Sequence, residues 1–275
     1  SEVYLPIPVL IDLVDTFFDH LSRIKRSKPF QADFDEEYLC ICANYTSKVH
    51  KGYIVRLDSF YSKISATLLD FFKRGTSIYF EVEIVQFFLS TLQNISFASS
   101  PATRSSIFNL FEPYINKWFR IYKDSQCHGH WMYILSNITL SSEEESPNDS
   151  LCSEAWPLFH TVLDVVKREF VGDKIVGDGH EEVIRFFTNL CCDPSHAIEV
   201  YDNVKDLLDG WFEIIREKKH KMGTKYLFEF LSMLSTVPSL LPHISPKYER
   251  MKWCRAYCLW EDDYKMINGS ICSIM

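Results

Sequence analysis

One short pattern returns along the chain, and it constrains the fold more than any other feature. Four segments line up on it: Phe-Phe-Leu-Ser-Thr-Leu-Gln-Asn-Ile-Ser at 87–96, Trp-Met-Tyr-Ile-Leu-Ser-Asn-Ile-Thr at 131–139, Phe-Phe-Thr-Asn-Leu-Cys at 186–191 and Phe-Leu-Ser-Met-Leu-Ser at 230–235. A weaker fifth copy, Cys-Ile-Cys-Ala-Asn-Tyr-Thr, occupies 40–46. The shared position falls at Asn44, Asn94, Asn137, Asn189 and, with Met in place of Asn, Met233, at spacings of 50, 43, 52 and 44 residues. Extra loop residues, such as those of Ser141–Ser150, account for the longer intervals. A helical hairpin of this size cannot cover its own apolar flank, so repeated units must stack on one another.

Apolar residues between and within these copies recur at helical spacing. The pattern predicts helices near 5–25, 35–49, 53–73, 78–97, 102–122, 129–140, 154–170, 180–192, 196–218, 223–236 and 246–260. Lys28-Pro29, Gly75, Ser100-Pro101, the acidic 141–150 loop, 172–179, Asp193-Pro194, Pro238 and Pro242 punctuate them. Neither Asn268-Gly269 nor Asp178-Gly179 is flanked by the alternation that a β-hairpin requires. The fold class read from this is all-α.

The junction Phe187-Thr-Asn-Leu-Cys-Cys-Asp-Pro-Ser-His-Ala-Ile-Glu-Val-Tyr-Asp-Asn-Val-Lys-Asp-Leu-Leu resembles that of an armadillo repeat, and 100–119 after Asn94 has the same layout. In that family a third helix ends in a Leu-x-Asn-Leu motif, followed by a brief first helix and a longer second one. The resemblance spans about 35–240 and implies a right-handed α-α superhelix of armadillo/HEAT-like repeats. The family's usual Gly between first and second helices is replaced here by Asp202-Asn203 or by 111–113, which leaves armadillo and HEAT geometry both open. A single domain over 1–275 is expected, with repeats near 30–75, 76–123, 124–171, 178–220 and 221–262, a capping helix at 1–28 and a tail at 263–275.

The resemblance also implies a role for the repeated Asn. In nuclear-transport members, Asn at this place binds the backbone of an extended peptide in a concave groove. Asn94, Asn137 and Asn189 would act likewise, with Tyr133 and Arg185 one turn earlier, where those members carry Trp. An amide can serve a peptide in this way because it offers both donor and acceptor. The other reading is that these Asn cap or bridge neighbouring helices. Three of five Asn-x-Ser/Thr sequons, at Asn44, Asn94 and Asn137, share this place, which favours helix packing over glycosylation as their explanation.

Composition narrows the function. The formal charge of −8 speaks against a nucleic-acid partner. Nine cysteines, mostly within apolar helical patterns, fit a reducing cytoplasmic or nuclear compartment. The apolar start, 4–18, is cut by Asp12 and Asp15, so neither a leader nor a membrane span is expected there. Cys127-His-Gly-His130 gathers metal-capable side chains but has no second ligand pair, and reads as a polar turn before a helix starting near Trp131. No cofactor is expected. Catalytic templates such as a phosphate loop or Gly-x-Ser-x-Gly are missing, and the His180 cluster with Asp178, Glu181 and Glu182 reads as a helix start. The chain ends Cys272-Ser-Ile-Met275, which matches a farnesylation signal and makes a membrane tether at Cys272 an alternative reading. The leading expectation is a non-enzymatic, protein-binding adaptor. By analogy its setting is cytoskeletal (actin assembly) or signalling, with a nuclear-transport-type peptide adaptor as the other alternative.

Overall fold

The computed structural model describes residues 32–49, 56–140, 151–169, 180–218 and 221–250, with Thr16 and Gly52. Every regular element among them is helical. Two compact units divide the chain, 1–138 and 139–275.

The first unit contains α1 (Ala32–Thr46), α2 (Asp58–Gly75), α3 (Val82–Phe97), α4 (Pro101–Ile121) and α5 (Ser125–Ile138). α3 lies between α1 and α5 and packs on both, while α2 packs on α4. Alternate helices therefore form two layers: α1, α3 and α5 in one, α2 and α4 in the other. Aromatic side chains fill the space between. Phe72, Phe88, Phe111, Trp118 and Trp131 are all less than 2 % exposed. Trp131 meets Phe111 edge to face at 5.2 Å, and Trp118 meets Phe72 likewise at 5.0 Å. Truncating one such ring costs about 3–5 kcal/mol, because the cavity left behind collapses only in part.

The end of α2 is tied to α4 by side chains. Its last carbonyls have no partner within the helix. The Trp118 indole N–H donates to the Phe72 carbonyl at 3.1 Å, and the Tyr122 hydroxyl donates to the Gly75 carbonyl at 3.2 Å. Gly75 permits this approach, since a Cβ there would meet Trp118 Cε2 at 2.9 Å. The requirement is for space, and a positive φ plays no part at this position.

The second unit contains the one-turn α6 (Cys152–Ala155), α7 (Phe159–Glu169), α8 (His180–Leu190), α9 (Pro194–Lys218), α10 (Lys221–Ser235) and α11 (Leu241–Arg250). α8 packs on α10, α9 and α11 flank α10, and α6 lies against α8. Phe159 meets Phe187 at 5.4 Å, and Trp211 bridges Phe187 and Phe230 at 6.4 and 6.5 Å.

Several expectations change against this fold. No separate brief first helix precedes α4 or α9; each runs unbroken, over 21 and 25 residues. Ser100-Pro101 and Asp193-Pro194 start these helices. The Ser100 hydroxyl accepts from the Thr103 N–H at 3.3 Å, the Asp193 carboxylate accepts from the Ser195 N–H at 2.7 Å, and Pro suits the first helical position. The predicted 154–170 helix is interrupted at Trp156–Leu158, a 3-10 turn containing Pro157. The last helix begins at Leu241, ahead of the predicted 246. The Cys127–His130 stretch is no turn: α5 already starts at Ser125, and the Asp124 carboxylate caps it by accepting from Gln126 and Cys127 at 3.0 and 3.3 Å. The predicted 5–25 cap, the 141–150 loop and the 263–275 tail with Cys272 lie outside the described residues.

Candidate functional site

Asn94, Asn137 and Asn189 form hydrogen bonds of one kind. In the first unit the Asn94 amide donates to the Thr46 hydroxyl at 3.1 Å, and the Asn137 amide donates to the Ser96 hydroxyl at 3.2 Å. In the second unit the Asn189 amide donates to the Thr139 hydroxyl at 3.0 Å. Each acceptor stands two residues after an Asn of the preceding repeat: Thr46 after Asn44, Ser96 after Asn94, Thr139 after Asn137. The acceptor chemistry explains the pattern. Thr46 spends its own proton on the Cys42 carbonyl at 2.9 Å and Ser96 spends its proton on Gln93 at 2.8 Å, which leaves hydroxyl lone pairs to face the next amide. At 94–96 and 137–139 the Asn-x-Ser/Thr sequon thus supplies one donor and one acceptor of a ladder, two positions apart, while at 44–46 it supplies the acceptor alone. The series also ends consistently: the copy at 186–191 has Cys191 where the hydroxyl would stand, and the copy at 230–235 has Met233 where the Asn would stand.

This arrangement matches the bridging reading of Asn94 and Asn137, which are only 3 and 4 % exposed and face into the helix layer. Arg104 from α4 adds a further tie, donating to the Asn137 backbone carbonyl at 3.2 Å near the end of α5. Asn189 is half-buried on α8. Asn44, on α1, is exposed and donates to Cys40 Sγ at 3.4 Å within its own helix.

Tyr133 is half-buried on α5. Arg185, half-buried on α8, donates to the Glu182 carboxylate at 3.0 Å and lies 5.7 Å over the Tyr226 ring of α10. The pair is largely shielded, because the Glu182 side chain is only 6 % exposed. No prediction from sequence singled out Glu182 or Tyr226 as partners of Arg185. Their signal was the helical register itself: Glu182 lies one turn before Arg185, and Tyr226 lies seven residues before Met233.

On the outer side of the first unit's α1–α3–α5 layer, Gln86, Ser90, Gln93 and Phe97 share one stripe of α3, and Gln126, His130 and Tyr133 share one of α5. Gln86 donates to Gln126 at 2.7 Å, and His130 Nδ1 lies 2.6 Å from the Gln93 carbonyl oxygen. Burial holds the His130 imidazole below its ordinary pKa, so near neutrality it is an uncharged hydrogen-bonding group. Phe97 is 56 % exposed at the end of its stripe. The face is polar, largely uncharged and carries accessible aromatic groups. Such a surface can receive a polypeptide by hydrogen bonds and ring contacts.

The cysteines differ sharply. Burial pushes the Cys127 thiol up to about 12, and burial also raises Cys191. Cys192 is exposed, and a hydrogen bond from Cys152 lowers its pKa to about 7 against the opposing effect of burial. Among the described residues no group of three or more His, Cys, Asp or Glu side chains is placed to hold a metal ion. Among them, too, no helix is long and apolar enough to cross a membrane.

The chain matches no family model, and no curated protein or solved structure is significantly similar to it.

Proposed function

We propose that this chain is a non-enzymatic protein-binding scaffold of the armadillo/HEAT-like kind, with a right-handed α-α superhelix as its architecture. The observation that carries the reading is the ladder: repeat-equivalent helices α1, α3 and α5 lie in one layer and are bridged at equivalent positions. Stacked repeats of this sort leave a continuous face of one layer for partners, and catalysis is not what such a face is built for. The long α4 and α9, without a separate first helix, favour HEAT-like two-helix units over three-helix ones.

The partner surface in this proposal is the α3–α5 face of the first unit, with Phe97, His130 and Tyr133 as its recognition groups; in the second unit, taken by itself, Arg185 is the candidate charged group of α8. The Asn94 and Asn137 amides are engaged within the layer, which weighs against the nuclear-transport mode of gripping a peptide. An adaptor role in cytoskeletal assembly, actin regulation first, or in signalling is the setting proposed by analogy, with the cytoplasm as its compartment.

A photo-cross-linking amino acid placed at Phe97, at Tyr133 and at Asn109 on the exposed side of α4 tests the face. The same polypeptide captured from Phe97 and Tyr133, and not from Asn109, supports the proposal. Equal capture from all three positions, or capture from Asn109 alone, overturns it.

A further inference from the structure

In the first unit α2 and α4 end side by side. Trp118 of α4 bonds the Phe72 carbonyl of α2, and Tyr122, just past α4, bonds the Gly75 carbonyl. The Tyr122 hydroxyl also holds the loop that follows α2: it lies 3.3 Å from the Ile78 carbonyl and accepts from the Phe80 N–H at 3.3 Å. The Tyr79 ring stacks on the Tyr122 ring at 5.6 Å. The loop between α2 and α3 is thus tied down along its length, and yet it turns two large side chains outward. Ile78 is 48 % exposed and Tyr79 is 67 % exposed.

The residues beside these contacts carry charge of one sign. Lys73 follows Phe72, Lys117 precedes Trp118, and Arg120 and Lys123 flank Tyr122. All four are exposed, and none forms an ion pair with a described residue. Two neighbouring acids are already engaged: Asp70 pairs with Arg74 at 2.9 Å, and Asp124 caps α5. Glu81 is the one exposed carboxylate of the loop itself. A chain of net charge −8 therefore gathers unpaired cations around its two exposed apolar side chains at this end. The helix dipole accounts for Lys73 and Arg120, which stand in the last turns of α2 and α4. It does not account for Lys117, Lys123 or the outward Ile78 and Tyr79.

We propose that this end of the first unit docks on the surface of an anionic lipid bilayer. Ile78 and Tyr79 enter the boundary between headgroups and acyl chains, and Lys73, Lys117, Arg120 and Lys123 meet the lipid phosphates. A nucleic acid would use the cations and the Tyr79 ring, but it offers no place for an aliphatic side chain. An aliphatic group beside an amphipathic ring, bordered by long basic side chains, matches the layered polarity of a bilayer surface. Each Lys or Arg held there raises partitioning about fivefold, and salt screens the effect. The surface is separate from the α3–α5 stripes and needs no partner there.

The test is co-flotation of the full chain with phosphatidylcholine vesicles, with and without about one third phosphatidylserine. The expected result is flotation with the phosphatidylserine vesicles alone, reversed by raised salt. Lys117→Glu with Arg120→Glu should weaken it ~20-fold or more, and Lys73→Gln with Lys123→Gln, which adds no new charge, by a similar factor. Ile78→Ser with Tyr79→Ser should weaken it ~tenfold while leaving the salt response unchanged. Lys205→Glu with Lys225→Glu makes the same change in net charge at exposed sites of the second unit, and should stay within about twofold of the native chain. Melting of each variant checks that it is folded. Flotation with neither kind of vesicle, or equally with both, overturns the proposal. So does a loss in the Lys205 and Lys225 variant as large as that in the Lys117 and Arg120 variant, or binding to a DNA duplex with none to the vesicles. Unchanged flotation of the Ile78 and Tyr79 variant overturns the insertion of those side chains.

Discussion

Replacing Asn94 with Ala leaves the Thr46 hydroxyl without the amide that reaches it at 3.1 Å, in a place where both residues are buried. The expected loss is about 1–3 kcal/mol, because a buried polar group loses its partner. Removing both partners, as Asn94→Ala with Thr46→Val, restores balance, and a double-mutant cycle by urea unfolding should return a coupling of about 0.5–1.5 kcal/mol. At Gly75 the expected cost comes from overpacking: Gly75→Ala drives a Cβ into the buried Trp118 ring and should destabilise by about 1–3 kcal/mol in the same assay. The sequence made the donor half of the ladder legible, since Asn recurs at one register. The acceptors were visible as the third residue of each sequon, yet nothing local announces that a hydroxyl two positions on will face the next repeat's amide. That pairing depends on which helices become neighbours, and so it is a property of the stack. The Trp118–Gly75 contact was hidden for the same reason: it joins residues 43 positions apart in sequence.

Helix starts and stops were legible where capping chemistry is local, and blurred where it is not. Ser100-Pro101 and Asp193-Pro194 mark boundaries in sequence, but they read equally as breakers and as N-termini; the Ser100 and Asp193 side-chain bonds decide for the second. The Cys127–His130 stretch looked like a turn because His and Gly are poor helix formers, and burial of Cys127 and His128 against the unit overrode that preference. Pro113 lies in the interior of α4 with its side exposed, where it removes the backbone N–H that would donate to Asn109. Pro113→Ala should therefore stabilise the unit by about 1–3 kcal/mol, read as a higher urea midpoint with an unchanged slope. His130, which joins α5 to α3 through Gln93, gives the pH dependence. Its pKa in the fold is lowered from 6.5, so above that value the imidazole is neutral in both states and costs nothing. Between 6.5 and the lower folded value the unfolded chain binds the proton first, and stability falls as pH falls. Melting followed from about pH 7.5 to about pH 5 should show this decline, and His130→Gln should flatten it.

At the scale of the molecule, apolar residues at helical spacing were enough to place every described element in the helical class, and the recurrence every 43–52 residues added the requirement that units cover one another's flanks. The layer arrangement was legible only as an inference from that requirement; which helix lies beside which emerges from α3 packing on both α1 and α5. Function was the least legible, since the proposed partner face, made of surface aromatics and amides, carries no spaced motif. In stacked repeats, stability is approximately a sum of unit and nearest-neighbour terms, so damage at one rung should be felt by the two helices it joins. The most direct test is hydrogen exchange by mass spectrometry on Asn137→Ala against the wild type. The account predicts faster exchange in α5 and also in α3, whose Ser96 loses its donor. Faster exchange confined to α5, with α3 as protected as before, would contradict it.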